Sequence, residues 1–407
     1  MAARRVAVTG LGIISPLGRS LTENWNSLRE GRCAIGPIQS VDCTNLRFQN
    51  GAEVLNYDPL EHFTGGKDAQ IDRFAQFSVV AAREALQDSG LELTPKLREN
   101  TAVICGSSVG GQWAIEIGYQ DLYLKNRGRV HPLTIPKTMS NAGASHIAMD
   151  TGLSGPAYTV STACSSANHA IGQAFHMVRE GLVEAAVTGG SEANFAYGFL
   201  KAWEAMRVIA PDTCRPFSKD RRGLILGEGG AMLILEPFEA AKARGAKIYA
   251  EICGFAMTSD AHHLTQPTVE GPARAMRGAL RDAGISPEQI GYINAHGTGT
   301  PGNDPVETQA IRAVFCKHAD SLAVSSTKSM HGHALGAAGA LEAVATILAL
   351  HHGMLPPTVN FTERDPECDL DYIPNKTRAV QVEAAISNSF AFGGLNAVLA
   401  FRVASGK

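Results

Sequence analysis

The sequence predicts an α/β protein with buried sheets between helical layers, built from two similar halves. Three observations predict it. Short apolar runs alternate with longer helical patterns along the 407 residues. A unit of strand, Ser/Thr-rich turn, helix and strand occurs twice. It runs once from Val160 to Gly190 and again from Val324 to Ser389. No Ser/Pro linker tract divides the chain, so the two units, residues 1–240 and 241–407 with a boundary near Glu236 to Ala246, are expected to share a core.

The strand runs are, in order, Arg5–Thr9, Thr101–Ile104, Ala157–Ser161, Ala185–Thr188, Ala231–Leu235, Ile248–Ile252, Gly291–Asn294, Leu322–Ser325, Ala384–Ser387 and Ala397–Ala400. Helices are expected over Arg73–Ser89 and Pro272–Ala283, each closed by a glycine (Gly90, Gly284) suited to the left-handed C′ position. Leu335–Leu350, the most apolar stretch, is broken by glycines and Glu342. It falls short of the ~20 residues of a membrane span and reads as a buried helix. Gly10-Leu-Gly12 follows the first strand but lacks the third glycine of a dinucleotide-binding turn. Gly227-Glu-Gly-Gly230 precedes a strand and reads as a structural turn.

Apolar residues make up 44% and charged residues 18%, enough for a sizeable core, which excludes disorder as the main state. With 36 basic and 39 acidic residues the net charge is −3, so nucleic acid is not an expected partner. Eight cysteines without a C-x-x-C pair read as reduced thiols in a cytoplasmic protein. The first residues carry too short an apolar run for a signal peptide.

Four loops could carry chemistry. Cys164 follows an apolar strand where a helix is expected to begin near Ala163. There the helix dipole and free N–H groups would lower the thiol pKa and could hold an oxyanion. A small buried cysteine is the plain alternative. Asn294-Ala-His296-Gly-Thr298-Gly-Thr300 is delivered by a strand, and Asp304-Pro305-Val306-Glu307 then reads as N-cap, N1 proline and N3 acid. Ser325 to Gly339 places Lys328, His331 and His333 at a third junction, with Glu342 able to pair with Lys328. No third ligand accompanies His331 and His333, so no metal is expected. Ser387 to Asn396 sets Phe390 and Phe392 beside Gly393-Gly394, either as a gate or as core anchors.

These four loops together resemble the β-ketoacyl-[acyl carrier protein] synthases, on the elongating side of that family. The likeness runs from Val6 to Phe401 and rests on Ser161-Thr-Ala-Cys-Ser-Ser166, Asn294-Ala-His-Gly-Thr298, Ser326-Thr-Lys-Ser329 with Gly332-His-Ala-Leu-Gly-Ala-Ala338, and Ser387-Asn-Ser-Phe390. The resemblance implies a thiolase-like duplicated α-β-α-β-α fold. It implies decarboxylative condensation of an acyl chain with malonyl-carrier protein, with no cofactor beyond the carrier's phosphopantetheine. Cys164 would carry the acyl chain as a thioester. His296 and His333 would stabilise the enolate, supported by Lys328 and Glu342. The N–H groups of Cys164 and Phe392 would form the oxyanion hole, with Phe392 also a gate. Thr298, Thr300, Val109 and Phe390 would contact substrate.

Acyl carrier proteins are acidic, so a basic rim is expected from Lys67, Arg73, Lys125, Arg127, Arg129 and Arg207. A homodimer, or a heterodimer with a Cys-less chain-length-factor homologue, is implied. The chain departs from common members at Ser218, Leu224, His331, Ala391 and Leu395. Ala391 stands for a glycine and would restrict the gate if its φ were positive. Ser165–Ala170, Lys201–Arg207 and Asp365–Asp371 resemble specialised nodulation-type and polyene-type synthases. A thiolase acting on coenzyme A and a non-catalytic chain-length subunit are the alternatives.

Overall fold

Ten strands form one mixed sheet in a computed structural model that describes residues 3–404. They are β1 (Val6–Ile14), β2 (Thr101–Gly106), β3 (Ala157–Val160), β4 (Ala185–Glu192), β5 (Gly229–Pro237), β6 (Ala250–Ser259), β7 (Ile290–Asn294), β8 (Ala323–Ser325), β9 (Ala384–Ala391) and β10 (Leu395–Arg402). Each run read from the sequence falls on one of them. The sheet order is β8-β7-β9-β10-β6-β1-β5-β4-β2-β3. Each half therefore repeats one order: third, second, fourth, fifth, first. In each, the fifth strand alone runs against the other four. The halves join where β1 pairs with β6, Val6 opposite Ile252 and Val8 opposite Ala250.

Seven helices complete the layers: α1 (Arg73–Ser89), α2 (Ala142–Thr151), α3 (Ser166–Arg179), α4 (Tyr197–Met206), α5 (Glu270–Ala283), α6 (Asp304–Phe315) and α7 (Ala338–His352). Helix α1, with α2 against it, covers β1, β5 and β4, while α5, with α6 against it, covers β6 and β10. Helices α3 and α7 touch each other and strands of both halves, so they form the middle layer. The result is the duplicated α-β-α-β-α stack of the thiolase-like fold.

The middle layer explains why α7 is apolar all round: every residue from Ala338 to Leu350 is buried. The stretch Leu335–His352 would be long and apolar enough to cross a membrane, but it is 89% buried inside the protein.

Local signals set the outer helices. Asp72 caps α1 through the N–H of Phe74 at 3.3 Å, and Gly90 ends it at φ 57°. Gly284 ends α5 at φ 65°, and that helix begins two residues before the expected Pro272. Asp304 is not the N-cap of α6. Asn303 holds that position, and the Asp304 carboxylate instead accepts the N–H groups of Phe217 at 2.7 Å and Gly299 at 3.2 Å.

The first strand is longer than expected. It continues through Gly10-Leu-Gly12 with a register shift between Val8 and Gly10. A Cβ at Gly10 would lie 2.2 Å from Ala85 O, and one at Gly12 would lie 2.0 Å from Ala81 O. The two glycines let α1 press onto the sheet.

Candidate active site

The fold delivers the four chemical loops from equivalent places. Cys164 follows β3 and Lys328 follows β8, the corresponding strands of the two halves. His296 follows β7, Phe390 lies near the end of β9 and Phe392 just past it. These are carboxyl ends of parallel strands, where ligands of layered α/β proteins bind.

Cys164 lies in a tight turn between β3 and α3. Its neighbour Ala163 has φ 50°, a left-handed angle that is strained for a residue with a Cβ. Helix α3 starts only at Ser166, two residues past the thiol. Burial raises the Cys164 pKa to about 11, outweighing the lowering by the Lys328 cation and by the backbone N–H groups of Phe392 and Cys164. This corrects the expectation of a thiolate. The dipole is displaced by two residues and the sulfur is buried, so the resting group is a thiol.

His296 and His333 face each other edge to face, with ring centroids 5.4 Å apart and planes at 82°. Burial, then the Lys328 cation, depresses both far below the ordinary histidine value, so both rings are neutral. Lys328 Nζ donates to His296 Nδ1 at 3.4 Å and also bonds Glu342. Burial raises the Glu342 carboxyl to about 7 against the pull of Lys328. The His333 backbone is pinned on both sides, its N–H to Ile225 O at 2.6 Å and its carbonyl to the N–H of Gly227 at 3.0 Å. Its Nδ1 is buried without a protein partner among the described residues. The Gly227 turn thus fixes the backbone that carries the imidazole.

Two buried carboxylates that sequence reasoning did not select hold these loops. Glu307 accepts the N–H groups of His296 and Gly297, each at 2.8 Å, and Asn388 Nδ2 at 3.2 Å. Glu192, at the end of β4, accepts Ser108 N at 2.7 Å and Gly336 N at 3.0 Å, linking the Val109 loop to the segment after His333. An acid closing an apolar strand run was its signal in the sequence, and the structure buries it fully. His331 leaves the site: its ring nitrogens lie 2.9 Å from Gly332 O and 3.0 Å from Thr327 Oγ1. Among the described residues, no group of three or more His, Cys, Asp or Glu is placed to share a metal ion.

Two cavities meet at Cys164. One, of about 240 Å³, is lined by Cys164, His296, His333, Thr298, Thr300 and Phe390, among others. The hydroxyls of Thr298 and Thr300 are 2.9 Å apart. The other, of about 300 Å³, is apolar and includes Val109, Phe199, Met206 and Leu335. Cys164, Trp203 and Phe392 line both, so they form the partition between them. Phe392 stacks on Trp203 at 6.2 Å.

The departures fall in and around this site. Ala391 lies in β9 and its φ is not positive; the left-handed angles belong to Gly393 and Gly394, so the alanine does not strain this loop. Leu224 packs in the cluster around Cys164 and Trp203. Ser218 Oγ donates to Asp220 at 2.6 Å.

Of the expected basic rim, only Arg207 lines the catalytic cavity. Arg73 is not free for a partner. It clamps buried Glu228 at 2.7 Å and lies over the rings of Tyr57 and Phe77, because a buried carboxylate needs its counter-charge. Lys125 and Arg127 are exposed but both bind Asp121. Lys67 and Arg129 are exposed.

A duplicated thiolase-like stack with a thiol and two neutral imidazoles in one cavity defines an acyl-transferring condensing enzyme. Family profiles agree. "Beta-ketoacyl synthase, N-terminal domain" matches residues 3–241 and "Beta-ketoacyl synthase, C-terminal domain" matches residues 249–362. The chain belongs to the β-ketoacyl synthase family. It is 49% identical to Nodulation protein E of Rhizobium sp. (strain N33), over 98% of this chain and 99% of that protein. It is 43% identical to 3-oxoacyl-[acyl-carrier-protein] synthase 2 of Synechocystis sp., over 98% of each. Its fold matches the ishigamide ketosynthase/chain length factor with a TM-score of 0.94 at 36% identity, covering 99% of this chain and 100% of that one. The chain is an acyltransferase of the synthase class, acting by carrier-protein-dependent Claisen condensation in fatty-acid or polyketide-type elongation.

Proposed function

We propose that the condensation runs by decarboxylation of malonyl-carrier protein at a site divided between the halves 1–240 and 241–407. The observation that carries the reading is the convergence of Cys164, His296 and His333 on one cavity, with both imidazoles neutral. The Cys164 sulfur attacks the acyl-carrier thioester, and its proton leaves with the carrier thiol. The acyl chain then lies in the apolar cavity past Val109, with Phe392 as the gate. Malonyl-carrier protein enters from the other side, its arm held by Thr298 and Thr300. His296 and His333 donate hydrogen bonds to the malonyl thioester oxygen, so the enolate forms as carbon dioxide leaves. The enolate carbon attacks the acyl-Cys carbonyl. The N–H groups of Cys164 and Phe392 hold the resulting oxyanion, which collapses to β-ketoacyl-carrier protein and free Cys164. Lys328 and Glu342 orient the histidines, and Phe390, packed 6.1 Å from His296, walls the substrate. No cofactor enters this scheme.

Arg207, with Lys67, Arg127 and Arg129, is the surface for an acidic carrier. A partner subunit, identical or a Cys-less homologue, is supported by the position of β3 at the sheet edge and by exposed apolar side chains at Tyr123, Leu124 and Ile135. Eight free cysteines suit a cytosolic setting. The greater identity to Nodulation protein E than to the synthase 2 of Synechocystis favours specialised acyl chains over housekeeping ones.

Intact mass after mixing the protein with saturated and polyunsaturated acyl-carrier proteins tests the reading. An acyl-sized gain absent from Cys164→Ala is expected, and the best-loaded chain names the pathway class. No gain on a folded protein, alone or with a Cys-less partner, would refute it. A thiolase would instead accept acyl-coenzyme A and release no carbon dioxide.

A further inference from the structure

The mouth of the catalytic cavity carries a cation that the motifs did not single out. Arg222 and Arg207 both line the cavity that holds Cys164 and the two histidines. Both are exposed, and neither guanidinium has an ion pair or hydrogen bond among the described residues. Most arginines among the described residues are held in ion pairs, and these two are not.

Their backbone placement is tight. Leu224 N donates to Val208 O at 2.9 Å and Ala210 N to Leu224 O at 2.8 Å, which zips the segment after Arg207 to the segment after Arg222. Gly223 N then donates to Gly299 O at 3.0 Å, between Thr298 and Thr300. Gly223 has φ 141°, and a Cβ there would lie 2.3 Å from Val208 O, so only glycine keeps this register. Arg207 itself takes φ 56° where α4 ends. The one carboxylate that lines the cavity, Asp260, is occupied by Thr268 N at 2.8 Å and Asn396 Nδ2 at 2.7 Å. The lining therefore holds the thiol, both imidazoles, two threonine hydroxyls and two guanidiniums unpaired among the described residues.

We propose that Arg222, with Arg207, forms a phosphate clamp at the mouth of the catalytic cavity, which takes the phosphate at the head of the pantetheine arm. The inference rests on the carrier-protein reading above. Guanidinium groups match phosphate oxygens in pairs and lose little hydration in doing so. The threonines bind the neutral arm, and the clamp reads the charge where the arm leaves the protein.

Titration calorimetry on the whole protein, with pantetheine and 4′-phosphopantetheine as ligands, tests the clamp. The phosphate is expected to tighten binding about tenfold, a gain that falls with added salt. Arg222→Ala erases most of the gain and Arg222→Lys restores part of it, while unchanged pantetheine affinity reports an intact fold. Equal affinity of wild type for the two ligands overturns the proposal. So does a gain that survives in Arg222→Ala. If Arg222→Ala weakens a holo-carrier protein but not free phosphopantetheine, the residue reads the carrier surface and the clamp is again overturned. If the phosphate preference stands while malonyl-carrier protein releases no carbon dioxide, the condensation reading fails and the clamp is supported.

Discussion

Lys328 Nζ lies 3.4 Å from Nδ1 of His296 while also bonding Glu342. An ammonium only donates, so His296 Nδ1 must accept and its proton resides on Nε2. The same cation adds to burial in depressing the pKa of His296 and His333. One lysine from the second half thus sets the His296 tautomer and adds to burial in keeping the ring neutral.

Lys328→Met is expected to lower malonyl decarboxylation by on the order of 10²–10³. The sign of the pH effect follows from the shifts. Wild-type imidazoles sit well below 6.5 and stay neutral as pH falls through that value, so no acid limb arises from them. Removing the cation lets both rise part of the way back, and an acid limb appears. Matching profiles for the two proteins, measured as carbon dioxide release against pH, would contradict this.

Cys164 is a thiol at rest, with its pKa raised to about 11. Alkylation by iodoacetamide, followed by intact mass, is expected to rise about tenfold per pH unit from roughly pH 7 to 10, because only the thiolate reacts. A plateau near neutrality would show a thiolate that burial does not suppress.

Glu307→Gln separates the two half-reactions. The carboxylate accepts two backbone N–H groups of the His296 loop, and an amide can present only one acceptor oxygen. Decarboxylation should fall by about 10-fold or more, as for loss of a positioning group. Acyl loading of Cys164 should persist, since Glu307 does not touch that loop. Equal loss of both steps would point to general unfolding.

Phe199 stands edge-on to Trp203 at 6.2 Å in the apolar cavity. Phe199→Ala should deepen that cavity. Each extra buried methylene is worth about 0.8 kcal/mol, so two more carbons gain on the order of tenfold in loading. Competition between chains of different length, read by intact mass, checks this; an unchanged order of preference would place the chain elsewhere.

Much of this was legible in the chain. All ten sheet strands were visible as apolar runs because helices cover the sheet and most strand positions are buried. The loops carrying Cys164, His296 and His333 could be picked out because strand ends in layered folds present side chains to ligands. What escaped depended on burial and on long-range pairing. The Cys164 thiol was misjudged because a sequence shows a helix start but not the burial of the sulfur. Glu307 sat within a noticed motif yet passed for a capping acid, when its carboxylate actually closes on His296 and Gly297. Arg73 passed for a surface cation because Glu228, its partner, lies 155 residues away. Gly10-Leu-Gly12 marked a strand pressed by a helix, which composition alone does not separate from a turn.

The central claim is that Cys164 and the His296–His333 pair perform one condensation. The most direct test is a single-turnover reaction of acyl-loaded protein with malonyl-carrier protein labelled with carbon-13 at the free carboxyl. The account predicts labelled carbon dioxide or bicarbonate and an unlabelled β-ketoacyl-carrier protein in equal amounts, both lost in His296→Ala, and no condensed product in Cys164→Ala. Retention of the label in the product, or condensed product from Cys164→Ala, would contradict it.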